Sequence, residues 1–361
     1  MTGVKKKIKT TFGEISIDKG HPLCQRGRFG LAISPLLQSL YLEYCAELVP
    51  EKACRLLNRA FGMERLADDS QAYRLIHRYG CSTEVEGSLR EPLHAAEMKP
   101  SAGCGEEGEA VYAMFDGGML PYDEGCLEVK VGRVFLESQV VAQGPAIEGA
   151  TKRNRVLNSE YLMREGHYSS FTARFGELLD AYMRAHPGAP LVFITDGAKW
   201  MQDWVSEKYP DAIHILDFWH AYERLCDFGA VLWRCPKTRH KGLDAWKAKL
   251  LDGGAEEIIR ELEGYRAHAR TKVAEAVEPL LVYFEGKKHR MRYDEYLQQG
   301  YMIGSGAIES AVRSAMQQRC KLSGQRWGNG AQAVLNIRAM YLSGKGARIE
   351  KFITKHYHNA A

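Results

Sequence analysis

Apolar side chains recur every three or four positions between residues 31 and 80, which is the spacing of amphipathic helices. The pattern stops at Pro50 and again at Gly62, so it predicts three consecutive helices. The third covers Gln71 to Tyr79 and ends at Gly80, because glycine commonly terminates helices. This region is therefore expected to be a small helical domain.

The third predicted helix carries a basic and aromatic face. Asp69 or Ser70 is positioned to cap it, and Arg74 and Arg78 lie one turn apart on its surface. Two helices joined by a glycine turn, the second of them basic, are typical of a helix-turn-helix, in which Arg74 and Arg78 would contact DNA. A helical bundle with a solvated basic face explains the same pattern, and the sequence leaves both interpretations open.

Beyond residue 110 the apolar pattern changes to that of β-strands, either alternating or continuously apolar. The five runs are Ala110–Phe115, Leu127–Phe135, Val156–Met163, Leu191–Thr195 and Ala212–Leu216. The first three predict an antiparallel meander, and the last two, separated by helical segments, predict parallel strands. The expected fold class is α/β, with a mixed sheet.

The later part of the chain is predicted to be mainly helical. Residues 221–300 show helical periodicity, and Ser305 can cap a helix that runs from Gly306 towards Cys320. The predicted domains are a basic extended arm (1–30), a helical DNA-binding domain (31–100), a linker (101–109), the first part of a sheet-based core (110–220), an all-helical insertion (221–300), the last part of the core (301–345) and a tail (346–361).

Composition excludes several classes of protein. The chain has 361 residues, with 49 Lys and Arg against 45 Asp and Glu, and 45% of its residues are hydrophobic, which excludes disordered and fibrous architectures. Its nine cysteines are odd in number and include no C-x-x-C pair, so we expect neither a disulfide framework nor a zinc ribbon. We therefore expect the protein to occupy a reducing environment. No apolar run is long enough to cross a bilayer, and the motifs of P-loop, Rossmann, zinc-protease and α/β-hydrolase proteins are absent from the sequence.

Three carboxylates stand where metal-dependent chemistry is expected. Asp116 and Asp196 directly follow apolar strands, where α/β sheets carry functional residues, and Glu309 lies in the first turn of the predicted late helix. Two divalent ions about 4 Å apart, held by such oxygen ligands, activate a nucleophile and stabilise the leaving oxygen of a phosphodiester. Each residue also has a structural explanation, since Asp before Gly suits a turn and a first-turn Glu suits the helix dipole.

The order of motifs along the chain resembles that of the DDE transposases of bacterial insertion sequences. The blocks that carry the resemblance are Phe115-Asp116-Gly117-Gly118-Met119, Glu128-Val129-Lys130-Val131-Gly132, Ile194-Thr195-Asp196-Gly197-Ala198, Asp217-Phe218-Trp219-His220 and Ile303-Gly304-Ser305-Gly306-Ala307-Ile308-Glu309-Ser310. They are similar to the ISKra-type family of the Mutator-like group, over most of the chain from Phe12 to Gly344. Membership of this family would imply an RNase H-like core.

This resemblance also implies a function. Asp116, Asp196 and Glu309 would hold two Mg²⁺ or Mn²⁺ ions, and the protein would cleave DNA at its element's ends and join the freed 3′-hydroxyls to target DNA. Its partners would be double-stranded DNA at the terminal inverted repeats and at the target, with a homo-oligomer joining two ends at the bacterial nucleoid. Asp217 and His220 match the Asp-x-x-His element of such transposases, in which His220 either acts near the scissile phosphate or fixes the start of the helical insertion.

The residues after Glu309 are strongly basic. No Asp or Glu occurs from Ser310 to Ile349, and Arg313 is predicted to lie one helical turn beyond Glu309 on the same face. The positive residues of this segment are Arg313, Arg319, Lys321, Arg326, Arg338, Lys345 and Arg348. We expect the first four to contact DNA phosphates, and Trp327 either stacks on an unpaired base or belongs to the core. A second cluster that suits a duplex backbone or a solvated loop consists of Lys152, Arg153 and Arg155.

Two positions depart from the family pattern. Cys24 has no partner for the N-terminal zinc ribbon of some relatives, and Cys126 stands where many relatives carry Trp. Two other functions stay open, namely a domesticated or inactive RNase H-like DNA-binding protein, and an RNase H-like nuclease or resolvase without strand transfer. The intact acidic triad and the unbroken basic segment argue against the DNA-binding protein, and the long helical insertion and the N-terminal helices favour transposition over the nuclease or resolvase.

Overall fold

The computed structural model describes residues 5–18, 33–93, 108–143, 153–268 and 271–358. The strands are β1 (Lys5–Thr10), β2 (Gly13–Asp18), β3 (Val111–Pro121), β4 (Cys126–Leu136), β5 (Val140–Gln143), β6 (Arg153–Val156), β7 (Glu160–Glu165), β8 (Leu191–Thr195) and β9 (Ile213–Leu216). The helices of the first half are α1 (Pro35–Glu47), α2 (Pro50–Ala60), α3 (Asp69–Gly80), α4 (Thr83–Leu89), α5 (Tyr168–Ala185) and α6 (Lys199–Lys208).

The second half is almost entirely helical, as the sequence predicts. Its helices are α7 (Phe218–Leu232), α8 (Pro236–Leu251), α9 (Ala255–His268), α10 (Thr271–Lys287), α11 (Tyr293–Gln298), α12 (Gly306–Ala311), α13 (Gln318–Cys320), α14 (Ala331–Leu342) and α15 (Gly346–His358). None of the described helices combines the length and apolar character needed to cross a membrane. The cysteines of the described residues are free thiols.

A mixed five-stranded sheet confirms the predicted α/β class. Its strand order is β7-β4-β3-β8-β9. β4 and β7 pair antiparallel, whereas β3 with β8 and β8 with β9 pair parallel. The run Leu191–Thr195 is buried along its whole length, which is why a continuous apolar stretch of five residues forms a parallel strand here.

Strand β3 corrects one prediction, because it does not end at Asp116. The strand continues through Gly117 and Gly118 to Pro121, and neither glycine has a positive φ. A Cβ on Gly117 would lie 2.2 Å from Glu128 Oε1, and one on Gly118 would lie 2.4 Å from Met316 Cε. The two glycines thus make room for neighbouring side chains and do not form the turn that the sequence suggested.

The described chain forms two compact units. The first contains residues 1–109, 117–188 and 310–361. Its most enclosed element is α14, which packs against α1, α3, α4 and β7 and has buried residues all round, as expected for a helix apolar on every side. A Cβ on Gly80 would meet the Ala333 backbone at 2.5 Å, so α3 and α14 approach closely there.

Three local predictions in the first unit need correction. Residues 5–18 form the antiparallel hairpin β1–β2, where an extended arm was expected. Helix α3 is capped by Asp68, whose Oδ1 accepts the Gln71 amide at 2.9 Å, and not by Asp69 or Ser70. The short helix α4 was not predicted, because its seven residues are too few to show a period.

The second unit contains residues 110–116 and 189–309. Aromatic side chains from β3, β8 and α6 form part of its core, where Phe115 packs against Phe193, Trp200 and Trp204. Residues 221–268 and 271–300 are helical and contain no strand among the described residues, which confirms the predicted helical segment.

The predicted helix from Gly306 to Cys320 is interrupted. Helix α12 ends at Ala311 and is followed by a π-helical segment, Val312–Gln317, before α13. Arg313 lies in that wider segment, so the 3.6-residue spacing that predicted a shared face with Glu309 does not apply beyond Ala311.

Candidate functional site

The candidate site begins with two aspartates at the same level of neighbouring strands. In the parallel pair β3–β8, Met114 is the register partner of Ile194. Asp116 and Asp196 each lie two residues further on, so they occupy the same level of adjacent strands, Asp116 within β3 and Asp196 directly after β8. Strands are about 4.8 Å apart, and residues two positions apart project from the same face. The 80-residue separation of the two aspartates is therefore the separation that the strand register requires.

A third aspartate extends this row. Thr195 is the register partner of Leu216 in the pair β8–β9, and Asp217 follows Leu216 just as Asp196 follows Thr195. The Asp217 amide also donates to the Thr195 carbonyl at 2.9 Å. Asp196 and Asp217 directly follow β8 and β9, and Asp116 lies at the same level within β3, so a row of three aspartates crosses neighbouring parallel strands.

Asp217 is completely buried and saturated with hydrogen bonds. Its Oδ1 accepts the amides of Trp219 at 2.6 Å and His220 at 3.3 Å, which makes it the N-cap of α7. Its Oδ2 accepts the Ser305 amide at 2.9 Å and the Ser305 hydroxyl. Burial raises the pKa of Asp217, but hydrogen bonds from His220 and Ser305 outweigh it and lower the pKa. The carboxylate is therefore ionised and held rigidly.

Ser305 connects this buried aspartate to Glu309. The Ser305 carbonyl accepts the amides of Ile308 at 2.8 Å and Glu309 at 3.2 Å, which begins helix α12. Its hydroxyl donates to Asp217 and lies 3.5 Å from Glu309 Oε1. The prediction that this helix begins at Gly306 is confirmed, but the Ser305 hydroxyl donates to Asp217 and does not cap an amide of the helix.

His220 lies among these carboxylates. Its Nδ1 is 3.3 Å from Asp217 Oδ2. This contact with Asp217, followed by the charges of Asp217, Asp196 and Glu309, raises the pKa of His220 to about 9 in spite of partial burial. Asp217, His220 and Glu309 have donor atoms within 4.8 Å of one another and could hold a metal ion.

The predicted triad is only partly represented in that group. Within the described residues, the group contains Glu309, whereas Asp116 and Asp196 are half-buried and are not members. Asp196 Oδ1 accepts the Ala198 amide at 2.9 Å, across Gly197. The other two members of the group that could hold a metal ion are Asp217 and His220.

Sequence reasoning missed two features close to this group. Asp217 was assigned only to a motif, yet it follows an apolar strand just as Asp116 and Asp196 do, so the same rule would have found it. Trp219 has 51% of its surface exposed next to His220, and the Lys247 ammonium lies 4.9 Å from the centre of its ring. An exposed tryptophan cannot be distinguished from a core tryptophan by sequence.

Several predicted DNA-contact residues are accessible on the first unit. Arg74, Arg313, Lys321 and Arg326 are exposed, whereas Arg78 is half-buried with its guanidinium 5.2 Å from the centre of the Tyr79 ring. The side of α3 that carries Arg74 also carries His77, and a Cβ on Gly330 would lie 3.3 Å from the His77 ring. The loop after α13 therefore approaches α3.

Burial corrects the prediction for Arg319. Only 1% of its surface is exposed, and its Nε donates to the Cys45 carbonyl at 2.9 Å, near the end of α1. Trp327 is half-buried, its indole donates to the Cys320 carbonyl at 2.7 Å, and the Arg319 guanidinium lies 5.9 Å from the centre of its ring. These contacts favour the core role for Trp327 and exclude a phosphate contact by Arg319 in this conformation.

The other buried cations of the basic segment also hold backbone carbonyls. Arg338 donates to the Ala46 carbonyl at 2.6 Å, and Lys345 donates to the Ser88 carbonyl at 2.9 Å and pairs with Glu160. Arg348 is buried as well and donates to the Pro92 carbonyl at 2.9 Å. Cations favour the carboxyl ends of helices such as α1 and α4, so part of this basic segment stabilises the fold.

The remaining predictions concern parts that are only partly described. Arg155 is exposed, the side chain of Arg153 is not described, and Lys152 and Cys24 lie outside the described residues. Cys126 is exposed at the start of β4.

Comparison of the sequence with models of protein families and with curated proteins finds no match.

Proposed function

We propose that this protein is a DDE-type transposase with an RNase H-like core, which cleaves DNA strands at the ends of its element and transfers the 3′-hydroxyls to target DNA. The observation that carries the proposal is the row of aspartates at one level of β3, β8 and β9, of which Asp217 is connected through Ser305 to Glu309. Carboxylates held on rigid elements supply the hard oxygen ligands that phosphodiester chemistry with divalent ions requires.

The donor set fits divalent ions. Asp116, Asp196 and Glu309 would supply hard oxygen ligands suited to Mg²⁺ or Mn²⁺. Asp217 already accepts four hydrogen bonds, which fill the lone pairs of a carboxylate, so we assign it to positioning. When bound, two such ions activate the attacking oxygen and stabilise the leaving oxygen.

The protein's own groups prepare this site. Asp217 fixes both the start of α7 and Ser305, and Ser305 in turn fixes the first turn of the helix that carries Glu309. His220 holds a proton at Nδ1 against Asp217, which places one positive charge among the carboxylates. We therefore assign His220 to orienting the site and balancing its charge.

DNA binding is proposed for the accessible cations of the first unit. The exposed cations available for phosphate contacts are Arg74, Arg313, Lys321 and Arg326. The half-buried Arg78 lies one turn from Arg74 on α3. Such contacts supply affinity without much sequence information and weaken steeply with salt.

The test requires the DNA ends of the element, which are located as inverted repeats flanking the gene. Purified protein is incubated with these ends and with Mg²⁺ or Mn²⁺, and nicked and joined strands are resolved on denaturing gels. Asp196→Asn is expected to abolish both products. Asp203→Asn is the matched control, because Asp203 is an exposed carboxylate on α6 that pairs with Lys199.

The possible outcomes separate the candidate functions. Nicking without joined products would favour a nuclease or resolvase, and metal-independent DNA binding without nicking would favour a non-catalytic DNA-binding protein. Wild-type activity in Asp196→Asn would contradict the proposed site.

A further inference from the structure

Lys287 is a cation next to Asp196 that is not used by the site described above. It is the last residue of α10 and is half-buried. Its neighbour Lys288 pairs with Glu256 and Glu285, whereas Lys287 forms no such ion pair among the described residues. A half-buried ammonium without a carboxylate partner is suited to an external anion.

The backbone after Asp196 is shaped to admit this lysine. Gly197 has φ +88°, and a Cβ there would lie 2.8 Å from Lys287 Cε and 2.6 Å from Leu216 Cδ1. The absence of a side chain at Gly197 therefore lets the Lys287 stem cross the chain directly after Asp196.

Tyr283 fixes the lysine and a second cation at the same place. Its hydroxyl donates to the Asp196 carbonyl at 3.5 Å. The Lys287 ammonium lies 4.8 Å and the Arg224 guanidinium 5.5 Å from the centre of its ring. One aromatic ring thus holds two cations, one of them exposed, beside the end of β8.

We propose that Lys287 and Arg224 form a subsite for a backbone phosphate of a nucleic-acid strand, next to Asp196. This inference rests on the proposed function, because a strand cleaved at Asp196 must pass this point. A nucleic acid is held by many phosphate contacts at once, so it can approach the aspartates more readily than a single small anion can.

The test is the salt dependence of DNA binding, measured without divalent ions so that cleavage is not required. Lys287→Met removes the charge and keeps an unbranched stem against Gly197, and Lys287→Arg keeps the charge. Lys288→Met is the matched control. Each protein is titrated with a duplex carrying the element end, at several salt concentrations.

Lys287→Met is expected to reduce the slope of log affinity against log salt by about 0.9, the value for one phosphate contact, while Lys287→Arg and Lys288→Met keep the wild-type slope. A wild-type slope in Lys287→Met would overturn the subsite. Thermal unfolding of each variant separates a folding defect from a lost contact, since only a lost contact changes the slope. Absence of nicking by the wild type would contradict the proposed function and leave the slope difference as support for the subsite.

The position of the phosphate is found with duplexes that carry one neutral methylphosphonate at successive positions. At the position that contacts Lys287, the methylphosphonate is expected to weaken DNA binding by the wild type. It is expected to leave binding by Lys287→Met unchanged, because this variant already lacks the contact. If the loss of affinity from the methylphosphonate and the loss from Lys287→Met are additive at every position, no single phosphate contacts Lys287, and the subsite is contradicted.

Discussion

The Asp217 side chain connects three segments of the second unit. It follows strand β9, caps α7 and binds the Ser305 amide and hydroxyl. A buried carboxylate with this many donors cannot be exchanged for an amide without leaving groups unpaired. Asp217 therefore determines where Ser305, and through it Glu309, lies.

We expect Asp217→Asn to lower the free energy of unfolding by about 1–3 kcal/mol, because the amide NH₂ cannot accept from Ser305. Asp211→Asn changes an exposed residue on the preceding turn and is expected to have little effect. Urea unfolding of both variants measures the difference. Equal stability of the two variants would mean that Asp217 does not organise this region.

His214 gives the fold a dependence on pH. Its Nε2 lies 2.9 Å from Thr195 Oγ1 and 3.3 Å from Arg290 Nη1. Burial, together with the charges of Arg290 and His289, lowers the pKa of His214 to about 3 from the ordinary value of 6.5. The ring is therefore neutral in the folded protein, whereas the unfolded chain takes up a proton once the pH falls below about 6.5.

Because the unfolded state binds the additional proton, the stability contributed by neutral His214 is lost as pH falls from about 6.5 towards 3, at about 1.4 kcal/mol per pH unit. We expect His214→Gln to reduce the slope of unfolding free energy against pH over this range. His240→Gln, at an exposed position on α8, serves as the control. An unchanged slope in His214→Gln would exclude this residue as the cause.

At the scale of elements, sequence predicted those strands and helices whose burial is uniform along their length. Leu191–Thr195 is an example, since a strand buried on both faces is apolar throughout. Gly117 and Gly118 misled the prediction, because a glycine needed for space looks the same as one needed for a turn. The π-helical segment at Val312–Gln317 leaves no mark in the apolar pattern.

The basic segment after Glu309 shows the same limitation. Its positive residues form an unbroken series in the sequence, yet burial divides them into carbonyl-binding cations such as Arg338 and exposed ones such as Lys321. Charge alone does not distinguish the two groups, because the difference depends on which helix end each side chain reaches.

We expect Arg338→Met to lower the free energy of unfolding by about 2–4 kcal/mol, because the Ala46 and Ser314 carbonyls lose their charged donor. Lys321→Met is expected to leave stability unchanged and to reduce the salt slope of DNA binding by about 0.9. Chemical unfolding and binding titrations of the two variants check both effects. The division of the basic segment into buried, carbonyl-binding cations and exposed cations would be contradicted if Lys321→Met destabilised the fold as much as Arg338→Met does.

At the scale of the whole molecule, the two compact units are built from interleaved segments. Asp116, Asp196, Asp217, His220 and Glu309 all belong to the second unit, although 193 residues separate the first from the last (309 − 116). The sequence indicated the individual carboxylates, and the strand register explains why two of them share a level. No local pattern could have shown that Ser305 links Asp217 to Glu309.

The central claim is that Asp116, Asp196 and Glu309 hold divalent ions, and Mn²⁺ binding measured by electron paramagnetic resonance tests it without DNA. The wild type and Asp203→Asn are expected to bind Mn²⁺ alike. Asp116→Asn, Asp196→Asn and Glu309→Gln are each expected to bind about 10- to 100-fold more weakly or worse, because each lacks one oxygen ligand. Wild-type Mn²⁺ affinity in all three variants would contradict the site and, with it, the proposed chemistry.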